Sequence, residues 1–139
     1  LPKGRTIAPL IISTEKTQLT VFSGNKQAYP VYLTLGNIPN RLRQQPSQQA
    51  CILLAYLPVE KVSAQLCLFH AAMASIFELL KKAGANGVEL TSGDGVVRRI
   101  HPIIASYMAD YPEQCLVTCS KSTTCPKCHI GRKDIGSTA

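Results

Sequence analysis

No stretch of the chain approaches the ~20 consecutive apolar residues that a membrane-spanning helix requires, so no membrane partner is expected. The N-terminus lacks the apolar run of a secretory signal, and the first residue is Leu1 rather than Met, as in a processed product or a trimmed sequence. Internal repeats and low-complexity tracts are missing as well. Acidic residues are scarce: eight Asp and Glu stand against fifteen Lys and Arg, giving a net charge of +7 and a pI near 9.3. A small basic domain commonly meets a polyanion, because counterions released from phosphates drive association. The length, 139 residues, suits one domain rather than two. Residues 1–139 are therefore read as a single domain with a Cys-rich tail at 115–139.

A disulfide framework is also missing. Six cysteines fall at positions 51, 67, 115, 119, 125 and 128. Cys51 and Cys67 lie inside apolar runs, which reads as reduced core thiols rather than loop staples. Together with the absent signal, this predicts a cytoplasmic protein, expected as a monomer.

What is present is an alternation of strand and helix signals. Ile7–Ser13 and Gln18–Phe22 are β-rich, with Pro9 placing the first on an edge or near a strand start. Ser23–Lys26 signals a turn and Ala28–Leu35 a returning strand, which together predict a hairpin. Gly36–Gln49 reads as a long polar loop carrying Arg41 and Arg43, and Cys51–Leu57 as a buried central strand. From Ser63 to Ala83 apolar residues recur at helical spacing, with Gly84 as the natural stop. A short strand, Gly87–Thr91, leads into Ser92-Gly93-Asp94-Gly95. Pro102 then predicts a second helix to Asp110, and Cys115–Cys119 a last strand. The fold class is α/β: a mixed sheet with packed helices, whose order matches the start of a ribonuclease-H-like topology.

Several residues could carry chemistry. Asp94 sits between glycines at a predicted strand end, where open α/β sheets bind ligands, although a turn aspartate bonding its own backbone is the commoner use. Arg98, Arg99 and His101 follow closely and could neutralise phosphate and move a proton. Glu15 could share a divalent metal, Mg or Zn, with Asp94 across neighbouring strands. His70 lies on the helix stripe facing the sheet, as a core histidine, a general base or a metal ligand. Tyr56 ends the central strand, where it could stack on a base or donate to phosphate, with core packing an equal alternative. In the tail, Cys125-x2-Cys128 is one clean zinc-knuckle half, which Cys119 and His129 or His101 could complete as a structural site. Lys121 and Lys127 beside it would add phosphate contacts.

Four phrases carry a family resemblance: Lys16–Thr20 (KTQLT), Tyr29–Pro39 (YPVYLTLGNIP), Ser92–Arg99 (SGDGVVRR), and Asp110–Gln114 (DYPEQ) running into Cys125–Cys128 (CPKC). Together they resemble a segment of the Plavaka-type transposases of mushroom genomes, whose catalytic domain is ribonuclease-H-like. A free-standing basic chain of this pattern is also similar to the mushroom ribotoxin-like proteins, the ageritin family. That second resemblance implies a metal-dependent endoribonuclease acting on the sarcin–ricin loop of large ribosomal RNA. Such a protein would be a translation-inhibiting toxin of fungal defence, with Asp94, Tyr56 and Lys121 at its catalytic positions. The transposase relatives carry Asp where this chain has Glu15, and their third carboxylate would lie beyond residue 139. The expected function is therefore ribosomal RNA cleavage. An inert transposase fragment and a zinc-stabilised nucleic-acid-binding module are the alternatives.

Overall fold

Along Arg5–Thr14 (β1), Leu10, Ile12 and Thr14 are buried while Ile11 and Ser13 are half-buried, the two-residue period of a strand with one face on a core. The computed structural model describes residues 4–20, 24, 26–59, 65–121, 123–128, 130–131 and 133. Thr17–Gln18 (β2) and Gln27–Ala28 (β3) pair as a small ribbon, so the expected hairpin is present in shortened form. Residues 21–22 of the expected strand, and 23 and 25 of the expected turn, lie outside the described residues. Pro30–Leu35 (β4) follows, then a short helix, Asn40–Arg43 (α1), and a 3-10 turn, Pro46–Gln48, inside what reads as loop in the sequence. Cys51–Tyr56 (β5), the long helix Gln65–Asn86 (α2), Val88–Thr91 (β6), Val97–Met108 (β7) and Tyr111–Val117 (α3) complete the order.

Apart from the β2–β3 ribbon, the described strands form one five-stranded sheet in the order β5-β4-β1-β7-β6. β1 pairs antiparallel with β4 and parallel with β7, while β4–β5 and β6–β7 are antiparallel. The long connection through α2 makes the parallel pairing possible, since parallel neighbours need a crossover. α2 covers one face. Phe69 and Met73 close with Ile12, Tyr29, Val31 and Leu57 into the core, and Tyr29 stacks on Phe69 at 6.3 Å between ring centres. The mixed α/β class read from the sequence is the observed one.

Several element assignments change, each for a physical reason. The stretch after Pro102 is strand rather than helix: Ile103 to Met108 pair with β1, and the proline sits beyond the last β6 pair, Val88↔Ile100, where no ladder donor is needed. Pro9 lies in the central strand rather than an edge, because β4 pairing ends at Leu10↔Leu35 and spares its missing N–H. Cys115 belongs to α3, not to a strand. Asp110 caps that helix, its carboxylate accepting from the Glu113 N–H at 2.9 Å. Cys51–Tyr56 is an edge strand instead of a central one, and Cys51 and Cys67 are exposed rather than core thiols. The long helix runs past Gly84 to stop at Gly87, which takes a left-handed φ of 75° and returns its N–H to Ala83 O at 2.8 Å. Gly84 instead marks where α2 crosses β7: a Cβ there would lie 2.8 Å from the Pro102 carbonyl oxygen.

Candidate functional site

Because β1 and β7 run parallel, their C-terminal ends emerge side by side, with Ser13 opposite Met108. That is the end of an open α/β sheet at which ligands bind. Glu15 and Lys16 follow β1 directly and Asp110 follows β7. Together with Tyr32, Tyr107 and Gln114 they line a cavity of about 540 Å³. Glu15 and Asp110 are both exposed, each carried by the turn just past a strand.

Beneath the two acids lies a buried polar cluster. Thr14 donates its hydroxyl to Glu113 Oε2 at 2.6 Å, and the Tyr107 hydroxyl lies 2.8 Å from the same Thr14 oxygen. With the Thr14 proton directed at the carboxylate, Tyr107 is the donor of the second bond. Glu113 is only 6% exposed; among the described residues its Oε1 and the Tyr29 hydroxyl are both buried without a hydrogen-bond partner. Burial, and then the Glu113 charge, push the Tyr29 hydroxyl far above its ordinary range. Burial also raises Tyr107, with the Glu113 charge adding to the shift. The short tie between Thr14 and Glu113 fastens α3 to the end of β1 and thereby fixes where Glu15 and Asp110 stand.

The residues singled out from the sequence are distributed differently. Asp94 lies in the β6–β7 turn at the opposite end of the sheet, since β7 begins where β1 begins, with Arg99 opposite Arg5. Glu15 therefore does not approach Asp94. Both Asp94 oxygens are engaged by Arg98, at 2.8 and 2.7 Å, and Oδ1 also accepts from the Val96 N–H at 3.1 Å. Those bonds, Arg98 first, hold the Asp94 carboxyl below the usual carboxylate range. Arg99 pairs with Glu89, its direct cross-strand neighbour, at 2.7 Å. Arg41 and Arg43 follow β4 past its contacts with Ile7 and Pro9, so they too lie toward the N-terminal end of β1; Arg43 bonds Asn40 Oδ1 at 3.3 Å. His101 is 2% exposed, bonded through Nδ1 to the Gly84 carbonyl oxygen at 2.9 Å, with Nε2 against Gly87 and away from Asp94.

Tyr56 stands at the same sheet end as the two acids, exposed on edge strand β5 and two strands from β1. Four strand spacings, roughly 19 Å, separate its strand from β6, so it shares no site with Asp94. His70 touches α3 instead: its Nε2 lies 3.2 Å from Leu116 O and 3.3 Å from Cys119 Sγ. Lys121 and Lys127 are exposed in the tail. Cys125 and Cys128 share a turn closed by the bond from Cys125 N–H to Ile130 O at 2.9 Å, and the N–H groups of Cys128 and Lys127 lower the Cys125 thiol below its ordinary range. His129 lies outside the described residues. Among the described residues no three His, Cys, Asp or Glu side chains gather as a metal cage.

Asp110, Glu113, Thr14, Tyr107 and Tyr32 escape the sequence reading. One signal for them was legible: Asp110-x2-Glu113 with Pro112 between is a helix-start pattern, and it argues against a helix ending at Asp110. A somewhat larger depression, about 600 Å³, is lined by α2 residues alone, among them the exposed Glu78–Lys82 pair at 3.1 Å. It brings together no chemistry from a second element.

Fold and site thus define a small basic α/β domain with two acids at the ends of adjacent parallel strands. A family profile described as Plavaka transposase matches residues 1–139, and the chain belongs to that family. Neither the curated proteins nor the solved structures returned a match.

Proposed function

We propose that this chain is a nucleic-acid phosphodiester-processing domain of the transposase type, with Glu15 and Asp110 as the acids that hold a divalent metal. The observation that carries this reading is their common cavity at the ends of β1 and β7. Two carboxylates without a third fit an ion of the Mg²⁺ kind, which keeps several waters and takes substrate phosphates rather than a closed protein cage. Such an ion would supply charge stabilisation at phosphorus. Lys16 at the cavity wall would hold a phosphate, and the Thr14–Glu113 tie would keep the two acids apart at a fixed spacing. The strand order adds partial support: three antiparallel strands and a helical crossover open a ribonuclease-H-like domain, although here edge strand β6 comes between α2 and β7, the strand parallel to the first.

The test is Mg²⁺- or Mn²⁺-dependent nicking of labelled DNA and RNA oligonucleotides. Asp110→Ala and Glu15→Gln should each remove it, and chelator should do the same. Undiminished nicking by Asp110→Ala would sink the assignment. Ribosomal RNA cleavage in the ribotoxin manner is the narrower form of this reading. It asks Asp94, Tyr56 and Lys121 to act jointly, whereas Asp94 and Tyr56 stand on opposite edges of the sheet. Release of one discrete rRNA fragment from ribosomes, lost in Asp94→Ala but kept in Asp110→Ala, would restore it.

A second reading, a zinc-stabilised nucleic-acid-binding module, is favoured by the Cys125–Cys128 turn, whose backbone N–H groups converge on the Cys125 sulfur as in a metal knuckle. Zinc that survives dialysis and is lost in Cys125→Ser would support it; metal-free protein of unchanged stability would dismiss it.

A further inference from the structure

The last full rung of the sheet before the acids is a row of side chains on the face away from α2. Ile12 is fully buried under α2, so its neighbour Ser13 projects from the other face. Ser13 is opposite Tyr32 on one side and Met108 on the other, and Tyr32 is opposite Leu53. Directly opposed residues share a face, so the four stand in line as Leu53, Tyr32, Ser13, Met108. The ends of the row are open: Tyr32 is 36%, Leu53 42% and Met108 58% exposed.

The small residue in the middle makes the row a slot. Tyr32 and Met108 are two strand spacings apart, roughly 10 Å between backbones. The serine between them leaves a gap between a flat aromatic ring and a polarizable thioether. A base occupies ~3.4 Å in a stack, so a single base enters the gap without displacing either wall. The slot belongs to the same cavity as Glu15, Lys16 and Asp110, whose volume of about 540 Å³ accommodates a nucleotide. The chain's net charge of +7 complements a polyanion.

We propose that this slot, over Ser13 and between Tyr32 and Met108, seats one unpaired nucleobase and so makes single-stranded or locally opened nucleic acid the preferred ligand. The inference deepens, and rests on, the reading of the Glu15–Asp110 end as a phosphodiester site. Seated there, the base stacks on Tyr32 while its own phosphate lies toward Lys16. A base inside a duplex has both faces covered by its neighbours and cannot enter, whereas an extruded or unpaired base can. Every base has a π face, so recognition is tolerant of sequence.

Because the protein contains no tryptophan, Tyr32→Trp places a single indole emitter in the slot. Oligothymidylate, oligouridylate and a blunt hairpin duplex serve as ligands, with chelator present so that no metal contributes. Both single strands should quench the indole, and the duplex should not. Tyr32→Ala should weaken single-strand binding roughly tenfold or more, Tyr32→Phe should restore it, and Met108→Ala should weaken it less. Ser13→Leu should fill the slot and abolish the preference for single strands, with circular dichroism verifying the fold. Equal quenching by duplex, or a Tyr32→Ala affinity within about twofold of the parent, overturns the proposal, as does failure to bind any ligand. Binding is read without metal and nicking with it. Intact base binding with no Asp110-dependent nicking therefore leaves the slot standing and removes the phosphodiester reading; the reverse result removes the slot alone.

Discussion

Thr14 and Glu113, ninety-nine positions apart in sequence, meet through a 2.6 Å hydrogen bond between a strand end and the first turn of a helix. The bond is buried and charge-assisted, the stronger class of protein hydrogen bond. It joins the two chain segments that carry Glu15 and Asp110. Local stability and the geometry of the acids therefore rest on the same contact.

Replacing Thr14 by Val keeps the shape and removes the donor, leaving both Glu113 oxygens buried and unsatisfied. Chemical denaturation should show a loss of about 1–3 kcal/mol. Thr14→Ser should recover most of it. Equal stability of the Val and Ser variants would mean that the hydrogen bond contributes nothing beyond methyl packing.

Tyr29 ionises late because its phenolate would be buried beside Glu113. A folded-state value above the unfolded one contributes stability that is fully present below about pH 10 and is lost as pH rises further. Spectrophotometric alkaline titration should show Tyr29 and Tyr107 ionising only as the fold opens. Glu113→Gln, by removing the charge, should bring Tyr29 down. A titration in which Tyr29 and Tyr107 ionise before unfolding contradicts the buried cluster.

Asp94 behaves oppositely. Its carboxyl is held down chiefly by Arg98, so whatever it contributes is present above about pH 4 and lost as pH falls through its lowered folded value. Carboxyl-detected NMR should place its midpoint below the ordinary aspartate value, and Arg98→Ala should return it. Because the pair is exposed at the far end of the sheet, Asp94→Ala should leave oligonucleotide nicking intact while Asp110→Ala removes it. Loss of nicking in Asp94→Ala would return the active site to the β6–β7 turn.

The approach of α2 to β7 can be tested at its glycines. Gly87 has a left-handed φ of 75°, and a Cβ there would lie 2.7 Å from Arg99 Cγ and 2.8 Å from His101 Nε2. Gly87→Ala should cost more than about 1 kcal/mol. Gly84→Ala should also destabilise despite better helix propensity, because the obstacle is the Pro102 backbone oxygen, which cannot rotate away. Gly93→Ala, with nothing within 4 Å, is the control and should stay within about 0.5 kcal/mol. Thermal melts of the three variants give the order.

The sequence alone determined the properties that live in composition and local pattern. These are the basic charge, the mixed α/β class, the long helix, and strands near β1, β4, β5 and β6. They are legible because side-chain periodicity and turn chemistry act over a few residues. The stretch from Pro102 to Met108 was not. Proline at a possible helix start outweighed a β-branched run, and only pairing with β1 decides for strand. The candidate site was hidden for the same reason. Asp94 draws the eye because its glycines and arginines are sequence neighbours, yet those neighbours neutralise it. Glu15 and Asp110 have no local mark of function; they meet because β1 and β7 are parallel, and α2 had to cross the sheet to make them so. Chain direction at the end of a sheet is a tertiary fact, and it moved the acids of interest from the turn at Asp94 to the cavity beside Thr14 and Glu113.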